Sequence, residues 1–143
     1  MSARRKIVNT LVDLCNDQLN GTTYTSNIEQ NAIGKQIFWD EVNTYPYISI
    51  TAGNESRQYL PGNFKWGYLE VNIKVYVEDQ EDAQALLEQF FEDLESLLDA
   101  NNELAYDTGK VTELISIISI ATDEGVLTPL GVGELSIQIQ YDV

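Results

Sequence analysis

Any chemistry in this chain would have to rest on carboxylates. Its 143 residues carry 23 Asp and Glu against 8 Lys and Arg, with no histidine and a single cysteine. An imidazole or thiolate metal cage is out of reach, and a nucleophile would depend on lysine or on a second carboxylate for activation. The five lysines (Lys6, Lys35, Lys65, Lys74 and Lys110) show no local pairing with a serine on a tight turn. Asp79 to Phe90 is as acid-dense as a calcium loop, yet it lacks the alternating ligands and the glycine at its sixth position, and the window from Asp99 fails in the same way. Gly131-x-Gly133 has no third glycine and opens no strand-to-helix turn, so the dinucleotide fingerprint is absent. Cys15 falls on the apolar stripe of a helix, where a thiol acts as a small buried hydrophobe. Carboxylate pairs assembled in space are the remaining catalytic option, and in so acidic a chain they arise by chance. The sequence therefore nominates no catalytic residue, no metal set and no cofactor.

One acidic pattern is ordered enough to stand out. Glu88, Glu92, Glu95 and Asp99 recur at i, i+4, i+7 and i+11, and no Lys or Arg occurs from Val75 to Gly109. Like charges four apart on a helix cost about 0.2–0.5 kcal/mol per pair, so a neutral solvated face would interleave lysines. Three readings remain open: plain solubility, a face for a basic partner, or a face past which DNA slides without sticking. The net charge of −15 opposes phosphate neutralisation, so sequence-specific nucleic-acid binding is not expected.

The elements that would position these groups follow from periodicity. Ile7, Val8, Leu11, Leu14, Cys15 and Leu19 mark an amphipathic helix over residues 4–19, ended by Asn20-Gly21. The pattern is weak from Thr22 to Thr44, with room for a short strand around 33–39 at Ile37, Phe38 and Trp39. Tyr47 to Thr51 is a β-branched run entered through Pro46. Residues 53–67, punctuated by Gly53-Asn54 and Pro61-Gly62, read as a long connection carrying Tyr59, Leu60, Phe64 and Trp66. Tyr68 to Glu78 alternates strictly, with Leu69, Val71, Ile73, Val75 and Val77 on one face. A second helix runs from Glu81 to Ala100 with Asp79 as its cap, and Leu114 to Ala121 is a further strand. Residues 122–133 read as a glycine-hinged loop that nonetheless carries Val126, Leu127, Leu130 and Val132. Leu135, Ile137, Ile139 and Tyr141 then alternate as a last strand. Such a loop either buries its apolar residues against a neighbouring molecule or folds back over its own sheet edge.

These elements predict one α+β domain over residues 1–143: two helices packed on one face of a mainly antiparallel four-stranded sheet, with a long hairpin loop. No stretch reaches the ~18 uninterrupted apolar residues of a membrane span. The basic start is not followed by a clean apolar stretch, because Asn9, Thr10 and Asp13 interrupt it. No membrane association is expected, and the lone cysteine suits a reducing compartment.

The series of an amphipathic helix, Tyr-Pro-Tyr-Ile-Ser-Ile-Thr-Ala-Gly-Asn-Glu (45–55), Leu-Glu-Val-Asn-Ile-Lys-Val-Tyr-Val (69–77), an acidic helix and a final Gly-Val-Gly-Glu-Leu-Ser-Ile-Gln-Ile-Gln-Tyr resembles the tail terminator or tail completion proteins of long-tailed bacteriophages, of the minor tail protein U type. The resemblance covers nearly the whole chain but has no catalytic signature to anchor it. It implies a structural virion protein in the tail and neck, assembled in the host cytoplasm, which forms a hexameric homo-oligomer. Such a ring stops tail-tube growth, meets the tail tube protein on one side and a neck or connector protein on the other, and lets DNA pass through. On that footing Tyr59, Leu60, Phe64, Trp66, Val126, Leu127, Leu130 and Val132 become interface candidates. The acidic face becomes a candidate lining or docking surface. Another head–tail connector ring, or a small acidic carboxylate-dependent enzyme, are the competing readings.

Overall fold

The computed structural model describes residues 2–143, with the side chain of Trp39 left aside. Helix α1 spans Ala3–Gln18 and starts where Ser2 Oγ accepts the Arg5 N–H at 3.2 Å. Its buried stripe is Ile7, Val8, Leu11 and Cys15. Helix α2 spans Ala83–Ala100 and is capped by Asp82, whose carboxylate accepts from Ala85 N at 3.0 Å. Asp79, the cap expected from sequence, instead holds the turn ahead of the helix by accepting from Glu81 N and Asp82 N. Both helices lay their apolar stripes on one sheet face, where Leu69, Val71, Ile73, Val75, Leu135, Ile137 and Ile139 are all buried. Each such side chain contributes about 1.5–3 kcal/mol.

The sheet corrects the four-stranded expectation. Six strands form one mixed, curled half-barrel: β1 (Ala32–Ile33), β2 (Tyr47–Leu60), β3 (Phe64–Glu78), β4 (Ala105–Asp107), β5 (Lys110–Thr122) and β6 (Leu130–Asp142). Their spatial order is β1-β2-β3-β6-β5-β4. β1 pairs with β2 in parallel, whereas the remaining neighbours are antiparallel. Strands of two and three residues are too short to leave a period in the sequence: β4 was not foreseen, and the short strand expected around 33–39 is met only at its edge by β1, with Ile37 and Phe38 outside any strand.

The long loop is also corrected. Residues 53–67 are paired along most of their length, from Glu55↔Leu69 to Leu60↔Phe64, and only Pro61-Gly62-Asn63 turns. Gly62 and Asn63 supply the positive φ values, +84° and +66°, that so tight a turn requires. Gly53-Asn54, read as a loop signal, is instead a bulge, where the register shifts between Ala52 and Glu55. Likewise β6 begins at Leu130, so Leu130 and Val132 belong to a strand and only residues 123–129 form the turn. Gly131 and Gly133 are strand residues beneath α2: a Cβ on Gly133 would stand 2.5 Å from Phe91 Cζ. Their missing side chains let the helix approach the sheet.

The segment between α1 and β1 is tied down from below. Leu19 and Ile28 are fully buried, and the Asp93 carboxylate on α2 accepts from Ser26 N at 2.9 Å and Ser26 Oγ at 2.5 Å. No helix is long and apolar enough to cross a membrane among the described residues.

Candidate functional site

The strands place the apolar candidates at two opposite ends of the sheet. At one end the β2–β3 hairpin projects past its neighbours, with Tyr59 and Phe64 exposed to 69% and 62% and Leu60 partly exposed. Trp66 is half-buried at the arm's base, opposite Gln58 and Asp142. Lys65 Nζ lies 5.3 Å from the Tyr59 ring centroid, so the cation rides on an aromatic face.

At the other end lies the turn joining β5 to β6. Asp123 organises it, accepting the Leu127 N–H at 3.0 Å, while its own N–H bonds Val132 O at 3.0 Å. Glu124 and Gly125 take positive φ there. The turn holds Val126 out at 81% exposure, whereas Leu127, Leu130 and Val132 are half-buried. Leu127 and Val132 join Phe38, Lys74, Tyr76 and Glu134 in lining a shallow groove of about 320 Å³. The eight interface candidates are therefore two patches. Trp66 pairs with Asp142 at one end of the β3–β6 ladder and Glu78 with Leu130 at the other, a run of roughly 40 Å at ~3.3 Å per residue.

The arm's direction is set at its base. Glu55, its side chain 5% exposed, accepts from Arg57 Nε at 2.5 Å and from Tyr141 OH at 2.6 Å, and Arg4 Nε stands 3.9 Å away. Arg4 also bonds the Gly53 carbonyl at the bulge. Burial, then the hydrogen bond from Tyr141 to the Glu55 carboxylate, push the Tyr141 hydroxyl up to about 12. Sequence reading missed this cluster, because its members lie on three separate segments. At the far side of the sheet Lys6 Nζ meets Asp107 at 2.7 Å and holds that carboxyl below its usual range, joining α1 to β4.

The acidic stripe is real as a surface. Glu88, Glu92, Glu95 and Asp99 are all exposed, and the first three frame a groove with Phe91, Ile120 and Thr122 beside the β5 edge. Among the described residues, no group of three His, Cys, Asp or Glu is placed to hold a metal ion. Burial pushes the Cys15 thiol up to about 12, which keeps it protonated and inert. The geometry thus offers apolar tips, a braced arm and open sheet edges.

Comparison with known proteins adds a family. The chain matches the family model described as bacteriophage tail tube terminator protein over residues 1–143. It is 31% identical to the "Tail tube terminator protein p142" of Escherichia phage T5, with 99% of this chain and 94% of that protein covered. A chain from the structure "Virion of native gene transfer agent (GTA) particle" shares the fold, with a TM-score of 0.53 at 9% identity over 79% of each chain.

Proposed function

This chain belongs to the bacteriophage tail tube terminator family, and from that premise we propose that it is a structural virion subunit whose ring ends the tail tube and joins it to the neck. The observation that carries this reading is the pair of apolar patches at opposite ends of one sheet, the hairpin tip and the Val126 turn. A terminator has two axial partners, the last layer of tube and the neck, and this subunit offers each a separate surface. Aromatic side chains such as Tyr59 and Phe64 suit the centre of a protein–protein contact. Copies of one subunit around an axis meet head to tail, and such contacts close into a ring when the rotation allows. Six copies, the number that the resemblance to tail terminators implies, is the stoichiometry we propose.

No chemistry enters this role. The work is geometric: a subunit that docks on the tube but presents a different surface outward leaves the tube protein nothing to add to. The net charge of −15 per chain, repeated around the ring, gives a conduit wall that repels phosphates and lets DNA pass. Assembly would take place in the host cytoplasm, with the protein retained in the virion.

Loss of the gene tests the role. Infection without it is expected to give filled heads lacking attached tails, together with tubes longer than the normal tail. Wild-type protein supplied in trans should restore both length and joining, and a Tyr59→Asp, Phe64→Asp double variant should not. Tails of normal length without the protein would contradict the reading.

A further inference from the structure

The open edges of the sheet say how copies would meet, given the ring reading above. β4 covers only the start of β5, and Asn102 Oδ1 accepts the Ile115 N–H at 2.9 Å. Beyond that point residues 116–122 have no backbone partner on their outer side among the described residues. Natural sheets blunt such an edge with lysine, proline or an inward-pointing charge. This edge carries none of these. Leu114 to Thr122 holds no charged residue, and Ile118 and Ile120 are 57% and 47% exposed. A β-branched, uncharged edge is a template for strand addition and an aggregation hazard if left bare.

The opposite side of the sheet has a matching edge. β1 pairs with β2 only at Ile48 and Ser49, and Arg4 bonds the carbonyl of Gly53. Beyond it residues 54–60 have no backbone partner on their outer side among the described residues; they number seven, like 116–122, but lie nearer the arm end of the ladder, Glu55 being level with Leu69, Ile139 and Ile115. β2, β3, β6 and β5 alternate in direction, so β2 and β5 run oppositely. A second copy rotated about an axis near the strand direction lays its β2 antiparallel to the first copy's β5, with the same sheet face turned the same way.

Charge selects that face. Arg57 pairs with Gly67, which pairs with Tyr141, and Lys65 pairs with Tyr59, so both cations lie on the side covered by the helices. Residues 56–69 contain these two cations and no acid, with Glu55, the partner of Arg57, just ahead of them. In the neighbouring copy, the helix side of the β5 edge is overhung by Glu88, Glu92 and Glu95.

We propose that copies of this chain associate by antiparallel pairing of the open β2 edge, residues 54–60, with the open β5 edge, residues 116–122, of the next copy, placing Arg57 and Lys65 under the acidic flank of its α2. The tilt of strands in a closing sheet supplies the offset between the two edges. One contact then covers the bare isoleucines and partners the acidic stripe.

Because the contact joins two different edges, blocking them separately gives a distinctive result. An edge variant (Ile118→Lys, Ile120→Lys) and an arm variant (Arg57→Ser, Lys65→Glu) are each expected to remain monomeric by size-exclusion chromatography with light scattering under conditions where the wild type forms rings. Mixed together, they should give dimers and nothing larger, since one intact arm meets one intact edge and both outer ends are blocked. Should a variant lose its fold by circular dichroism, single charge exchanges replace it: Lys65→Glu should weaken association at least tenfold, and Glu92→Lys in the same chain should restore most of it. Rings from either blocked variant alone, a mixture that stays monomeric, or no rescue by the exchange would overturn the pairing while leaving the ring standing. A wild type that is monomeric both in solution and after cross-linking in virions would overturn both.

Discussion

Gly133→Ala tests the packing of α2 on the sheet. Gly133 sits on β6 between Val75 of β3 and Thr122 of β5. An added Cβ would lie 2.5 Å from Phe91 Cζ, 2.6 Å from Cε2 and 3.1 Å from the Ala121 carbonyl oxygen. Carbon atoms in good contact stand about 3.5–4.0 Å apart, so the ring must retreat by roughly 1 Å. Phe91 is 4% exposed inside the core, and the only relief for its ring is toward the groove it shares with Ile120 and Thr122 at the β5 edge. Overpacking of this kind costs about 1–3 kcal/mol. Removing a glycine from a strand offsets about 0.5–1 kcal/mol of that. A net loss of about 0–2.5 kcal/mol follows, about 1 kcal/mol at the centre of the two ranges, or a Tm lower by about 3–5 °C for a chain of this size. Thermal and urea unfolding of the variant measure it directly. Gly53→Ala is the control, because a Cβ there meets nothing closer than 3.7 Å, and it should be neutral. Phe91→Leu removes the clashing ring edge, so the double variant should be more stable than the two single losses sum to. A Gly133→Ala protein as stable as wild type, or strictly additive losses, would refute the argument.

Three further outcomes follow from the same geometry. Val126→Asp, on a side chain already in solvent, should shift stability by less than about 0.5 kcal/mol while abolishing neck or tube docking in a tail-joining assay; Leu130→Asp, opposite Glu78 on the ladder, should lower Tm because like charges meet across the strands. The raised Tyr141 pKa favours the protonated form in the folded state, so its stabilisation is complete below pH 10.0 and is lost as pH rises through about 12. Tyr141→Phe should lack that alkaline slope in denaturant titrations across the range. Replacing Glu88, Glu92 and Glu95 by Gln and Asp99 by Asn should weaken ring formation in a salt-sensitive way; normal assembly with slowed DNA ejection would instead put the stripe in the channel.

The sequence revealed what repeats and hid what is local. The two helices, β3 and the end of β6 were legible because their apolar residues recur at 3.6 or 2 positions over seven residues or more. β1 and β4 hold two and three residues, so their pairing is fixed by Asn31, Thr112 and the neighbouring strands instead of by a pattern of their own. Glycine misled twice, since Gly53 marks a bulge and Gly131 and Gly133 mark close approach of a helix, while all three were read as loop chemistry. The interface candidates were found by type, because exposed Tyr59, Phe64 and Val126 look out of place among polar residues. That they form two patches at opposite ends depends on strand register, which no single stretch encodes. Glu55 and Asp93 escaped notice because one buried carboxylate among 23 acids is invisible until its donors are placed around it.

The central claim is that this subunit stops a growing tube. Purified tail tube protein, triggered to polymerise on isolated tail tips, is to be measured by electron microscopy with and without this protein added part-way through growth. Lengths should freeze at the value reached on addition, with density for an added ring at the growing end and none along the shaft. Continued growth at the unperturbed rate, with the protein absent from the tube ends, would contradict the account.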